Sequence, residues 1–164
     1  MTLRRAQALL LGASGFYLLL VVFNNLTDYG SNLLFVQHVL SMDTTFPGNH
    51  GLWRAVSSPT VHTLFYFTII AWEMLACALQ SAAALRLWRA VTPEARKQAR
   101  ALGTLGLTIS MLQWWVAFLA VGGEWFLMWQ SRIWNGQEAA FRMFTMMGVC
   151  LIVLHLGGRQ EEGA

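Results

Sequence analysis

Charge is what this sequence has least of. Asp, Glu, Lys and Arg make up 12% of its 164 residues, about half the roughly 25% of an average soluble domain. Cysteine is scarce too. Cys77 and Cys150 are the two present, both inside apolar runs, which leaves no disulfide framework, no paired-Cys metal motif and no CxxCH haem attachment. There is also no HExxH, no P-loop and no Gly-x-Ser-x-Gly. His38, Ser41 and Asp43 are triad members by type, but nothing in so short a stretch would align them. No catalytic residue is therefore assigned, and neither enzymatic activity nor a cofactor is expected.

Apolar side chains are abundant, at 56% of the chain. They gather in four runs, about 7–27, 60–85, 101–122 and 139–157, each near the ~20 residues a helix needs to cross a bilayer core. Backbone polar groups must be satisfied internally in lipid, so such runs are helices. No dyad alternation of a membrane barrel is present. The expected fold is all-α: one domain over residues 1–164, a bundle of four transmembrane helices. Arg4 and Arg5 precede the first run, as in a signal peptide. Its apolar part is too long for an h-region and no A-x-A site follows, so it reads as a retained helix.

The basic residues orient the bundle. Arg4, Arg5, Arg86, Arg89, Arg96, Lys97, Arg100 and Arg159 fall on one side; Arg54, Arg132 and Arg142 fall on the other. By the positive-inside rule both termini and the middle loop are cytoplasmic, and loops 28–59 and 123–138 face outward. The net charge of +3 then reflects attraction to the cytoplasmic leaflet, and no nucleic-acid partner is expected. Trp53, Trp125, Trp129 and Trp134 fall near the outer interface and Trp88 near the inner one, where amphipathic rings are favoured. Trp72, Trp114 and Trp115 lie deeper and need partners for their indole N–H groups.

The outer loops carry signs of order. "SNLLFVQHVLSM" (31–42) is spaced for a short interfacial helix with Leu33, Val36 and Leu40 on one face, and "DTTFPGNHG" breaks it. "GEWFLMWQSRIWNG" (123–136) is similarly aromatic, so the two loops together predict an ordered outer cap. Thr92, Pro93 and Glu94 spell a helix start, which extends the third helix back to about residue 93.

One carboxylic acid, Glu73, lies inside the second run, "FTIIAWEMLACALQ". At 100° per residue His62, Tyr66, Glu73, Cys77 and Gln80 share a stripe about 60° wide, which must face the bundle interior or a wet cavity. Gly106, Ser110, Gln113, Ala117 and Ala120 make a small-residue face on the third helix, with Gln113 at a depth similar to Glu73 and suited to bond it. The resulting intramembrane polar cluster is His62, Tyr66, Glu73, Gln80 and Gln113. Two readings of Glu73 compete, a packing element bonded across helices and a proton-relay or cation-binding carboxylate, with a binding site for a lipid or quinone head group as a third. A second cluster, Asn24, Asn25, Asp28 and Arg142, gathers at the outer end, with Asp28, Glu124 and Glu138 available to pair with Arg142. His38, Asp43, His50 and His62 are metal-ligand candidates on the outer face, although their spacing matches no rigid motif.

"NNLTDYGSNLLFVQHVLSMDTTFPG", followed by "WRAVSSP" and "IIAWE", resembles a bacterial family known as predicted small integral membrane proteins of unknown function. "FVQHVLSMDTTFP" is the most specific part. The resemblance implies a bacterial inner (cytoplasmic) membrane location and four spans, and brings no catalytic or ligand residue. The expected role is a non-enzymatic accessory or assembly subunit, with a membrane-protein partner or a homo-oligomer as its assembly. The alternatives are a small transporter or proton-coupled protein using Glu73, and an outer-face metal or haem/quinone site.

Overall fold

The structure is a computed structural model and describes residues 1–156. Arg159, one of the orienting charges, lies outside the described residues, as does the last residue of the fourth expected span. Five α-helices carry the fold: α1 (Leu3–Thr27), α2 (Tyr29–Ser41), α3 (Pro59–Arg89), α4 (Pro93–Leu112) and α5 (Gln137–His155). α4 runs straight on into a π-helical segment, Gln113–Trp125. Among the described residues four helices are long and apolar enough to cross a membrane: Leu3–Thr27, Pro59–Arg89, Pro93–Trp125 and Gln137–His155.

Local chemistry sets the boundaries. Thr2 caps α1 by accepting from Arg5 N at 3.4 Å, and Thr92 caps α4 by accepting from Ala95 N at 3.2 Å, satisfying amides that the first helical turn leaves free. Pro59 and Pro93 sit at helix starts, where their missing N–H costs nothing. α1 and α2 meet at Asp28, whose ψ of 49° breaks the helix. Bonds from Asp28 N to Asn24 O (2.8 Å) and from Asn32 N to Asp28 O (3.3 Å) carry the ladder across, so the two form one bent rod. α2 ends where Met42 turns left-handed, at φ 55°.

The arginine-bearing end of the bundle is termed the basic end, and the end built from loops 28–59 and 123–138 the cap end. α3, at 31 residues, is about 46 Å long, well beyond the ~30 Å hydrocarbon core. α1 accompanies α3 from Arg4, which bonds Ala90 O at the basic end, only as far as Asn25, which bonds Glu73. Beyond that level α2 takes over: Tyr29 stacks edge-on with Tyr66 at 5.0 Å, and Val56 N bonds Leu40 O at 2.8 Å. Two apolar clusters result. One unites α1, α3, α4 and α5 around Leu11, Leu18, Leu87, Leu107, Met147 and Leu154. The other lies under the cap around Val36, Leu40, Ile70, Phe126 and Met128.

Small residues set the helix spacing. A methyl group added at Gly106 would lie 2.9 Å from Gln80 Cγ and 3.1 Å from Gln80 N, so α4 rides directly on the α3 backbone. Gly15 does the same for α1, with Ser81 N only 3.2 Å from such a methyl. The small-residue face holds as far as Gln113 and then fails: Ala117 is half-buried and Ala120 exposed. The reason is the change of ladder, since Phe126 N bonds Val121 O, five residues back, at 3.0 Å. π winding turns the chain less per residue than α, so spacings of three and four no longer stay on one face. Beside this segment an apolar cleft of about 370 Å³ opens between it, α2 and α3, walled by Val39, Phe65, Ile69, Val116 and Phe126.

Candidate functional site

The buried stripe of α3 is polar along its length. His62, Tyr66, Glu73 and Gln80 are all buried, and Glu73 exposes 1% of its surface. A carboxyl group so placed is costly unless every oxygen has a donor. Glu73 Oε2 accepts from Asn25 Nδ2 at 2.7 Å, and Oε1 accepts from Gln113 Nε2 at 3.1 Å. Tyr66 OH donates to Asn25 O at 2.8 Å and reaches Asn25 Oδ1 at 3.4 Å. One acid therefore joins the cap-side end of α1, the middle of α3 and the point where α4 becomes π-helical.

The other stripe members act separately. Gln80 Nε2 donates to Gly106 O at 3.1 Å, two turns toward the basic end. Cys77 Sγ contacts Gly15 O at 3.3 Å, and Trp72 Nε1 donates to Ile109 O at 2.9 Å. His62 lies three turns toward the cap, with Nε2 2.7 Å from Val56 O, and so closes the cap loop onto α3. Several buried atoms have no hydrogen-bond partner among the described residues: Gln80 Oε1, Ser110 Oγ, Gln113 Oε1 and Trp114 Nε1. Three of them, Gln80 Oε1, Ser110 Oγ and Gln113 Oε1, follow the α3–α4 contact from Gly106 to Glu73.

The cluster expected at the outer, cap-side end of α1 divides. Asn25 is buried and belongs to the Glu73 site, while Asn24, Asp28 and Arg142 are exposed. Arg142 pairs with none of Asp28, Glu124 or Glu138 among the described residues. Its side chain is exposed on the first turns of α5. The histidines also separate. His38 Nδ1 meets Asp43 Oδ2 at 2.8 Å while its ring stacks on Trp134 at 4.6 Å. His50 is exposed and His62 is held at Val56. Among the described residues no three His, Cys, Asp or Glu side chains come together as a metal ion would require.

The two cap loops are cross-linked. Thr44 Oγ1 donates to Ser131 Oγ at 2.9 Å, and Gln130 Oε1 accepts from Phe46 N (3.1 Å) and Asn49 Nδ2 (3.2 Å). Thr45 instead bonds Met42 O at 2.8 Å within its own turn. Arg54 lies over both Trp53 and Trp125, at 5.8 and 5.6 Å from their ring centres, a cation–π bridge between the loops. At the opposite end Gln7 Nε2 donates to Val153 O (3.0 Å), Leu154 O (3.1 Å) and Leu156 O (3.0 Å), tying α1 to the last turn of α5. Sequence reasoning missed Gln7, which looked like the flank of an apolar run. Its signal was a lone amide one turn inside the helix.

The model of a family described as predicted small integral membrane proteins (DUF2165) matches residues 3–157. The chain belongs to this family. It is therefore a multi-pass integral membrane protein, and its four apolar helices lie in contact with lipid. The match takes in all five helices and both cap loops, so the bent α1–α2 rod and the cap are included with the spans. No curated protein and no solved structure matches the chain.

Proposed function

We propose that this family member is a non-enzymatic accessory or assembly subunit of a larger membrane complex in a bacterial inner membrane. In this reading both termini are cytoplasmic, and the cap is its docking surface on the other side. The observation that carries it is the cap itself. Loops 28–59 and 123–138 are locked together by side-chain bonds, yet they leave Trp53 76% and Ile133 75% exposed, with Phe46, Trp125 and Trp129 open beside them. Tryptophans at an interface are explained by lipid headgroups. An ordered surface that also exposes an isoleucine matches the aromatic, pre-formed patches of protein interfaces. A photo-crosslinker placed at Ile133 in intact cells tests the reading. The expected result is one discrete protein adduct at Ile133 and none at Ile152, which is exposed on the lipid-facing side of α5. Adducts at neither site, or equal adducts at both, would sink it.

A second reading, a proton-coupled protein using Glu73, draws on the unpartnered oxygens of Gln80, Ser110 and Gln113 along the α3–α4 contact that leads to the acid. Buried acceptors without partners are where internal water belongs. Proton flux into liposomes is the measurement: a rate above lipid background that Glu73→Gln abolishes supports this reading. Background rates in both proteins remove it.

A further inference from the structure

The basic end holds a second concavity, unrelated to Glu73. Where α3 ends and α4 begins, a hollow of about 510 Å³ is lined by Arg86, Arg89, Val91, Thr92 and Gln98, among others. Arg86 and Arg89 are one turn apart at the end of α3, so their guanidinium groups open onto one hollow. Both are exposed, and among the described residues neither has a hydrogen-bond or carboxylate partner.

The surroundings add charge of the same sign. Arg4 of α1 bonds Ala90 O in the wall of the hollow, and Arg5 lies 5.6 Å above the Trp88 ring. Arg96, Lys97 and Arg100 follow on α4. Among the described residues the acid of the same turn region is Glu94, exposed in the first turn of α4. The hollow is thus a cationic recess with two uncommitted guanidinium groups, and its complement is an anion with several acceptor oxygens.

The rim says where that anion comes from. Leu85 is 58% exposed, Trp88 48% and Val91 81%. Apolar and indole side chains exposed beside arginines at the end of a transmembrane helix mark headgroup depth. An anion bound there has hydrocarbon next to it, which a phospholipid supplies and a dissolved ion does not. Basic recesses between transmembrane helices at this depth are suited to anionic headgroups.

We propose that the recess formed by Arg86, Arg89 and the α3–α4 turn is a binding site for the phosphate of an anionic phospholipid drawn from the adjacent leaflet. Arg86 and Arg89 hold the phosphate oxygens, and Trp88 and Val91 rest against the acyl region. The site is independent of the cap and of Glu73.

The test uses the full chain purified in a neutral detergent, with lipid binding read by native mass spectrometry. Phosphatidylglycerol, phosphatidylcholine and inorganic phosphate are the three probes. The wild type is expected to retain phosphatidylglycerol in preference to phosphatidylcholine. Replacing both arginines, Arg86→Gln with Arg89→Gln, should weaken that retention about tenfold or more, since each cation near an anionic headgroup contributes on the order of a full kcal/mol. Arg86→Lys with Arg89→Lys should keep most of it, which separates lost charge from a damaged fold. Arg132→Gln, at the cap end, should leave it unchanged. Equal retention of the two lipids by the wild type, or undiminished retention in the double Gln variant, overturns the proposal. So does displacement of phosphatidylglycerol by millimolar inorganic phosphate, which would make the occupant a free ion.

Discussion

At the scale of single residues, Glu73 controls the interior. Removing its carboxyl while keeping bulk, as in Glu73→Leu, strands Asn25 Nδ2 and Gln113 Nε2 in an apolar core. Each stranded donor costs ~1–3 kcal/mol, so resistance to unfolding by SDS should fall by about 2–6 kcal/mol. Glu73→Gln should cost far less. Its carbonyl still accepts from Asn25, and a flip of the Gln113 amide turns the partnerless Oε1 toward the new NH2 group. If the two variants unfold alike, the amide contacts do not hold the core. Glu73 was legible in the sequence because one acid among apolar residues marks an inward face, and Gln113 because its depth matched. Asn25 was not singled out. Four polar residues crowd that end of α1, and which of them reaches α3 depends on how the helices cross.

At the scale of elements, close helix contact is the main device. Gly106→Leu must push α4 off the backbone of α3 and break the bond from Gln80 to Gly106 O. Overpacking of this kind costs typically ~1–3 kcal/mol, and SDS titration should register it. Gly30→Leu has nothing within 4 Å of the added carbon and should be neutral by the same assay. The Gly and Ser spacing of α4 was readable because small residues at helical intervals announce a contact. The π winding after Gln113 was not, since a sequence of Trp, Val, Ala, Phe and Leu suits either ladder. Its trace is only that Ala120 falls on the wrong face. π turns are mostly short insertions near functional sites, and this one begins at the residue that holds Glu73.

At the scale of the whole molecule, hydropathy alone specified four spans, because a bilayer permits little else for long apolar runs. The charge distribution predicts which end faces which compartment. In a chain with Cys77 and Cys150 replaced by Ala, single cysteines introduced at Val91 and Ile133, both exposed, should react with an impermeant maleimide from opposite sides. Reaction of the Ile133 cysteine from the cytoplasmic side would reverse the proposed orientation. The cap was foreseen as an ordered, aromatic layer. Its bonds were not, because Thr44 with Ser131 and Gln130 with Phe46 join residues more than 80 positions apart, beyond any local pattern.

The polar layer between the two apolar clusters has one more consequence. Hydrocarbon packed on hydrocarbon gives little reason to prefer one alignment over another within a bilayer, where lipid tails solvate a slipped helix as well as a correct one. A slip of α1 along α3 by one residue would leave Leu18 and Leu11 still among apolar side chains. It would also pull Asn25 from Glu73 and leave three polar groups bare in oil. Glu73 therefore acts as a key cut for one lock: it adds little to how strongly the helices attract, and much to which partner, and which rung, they accept.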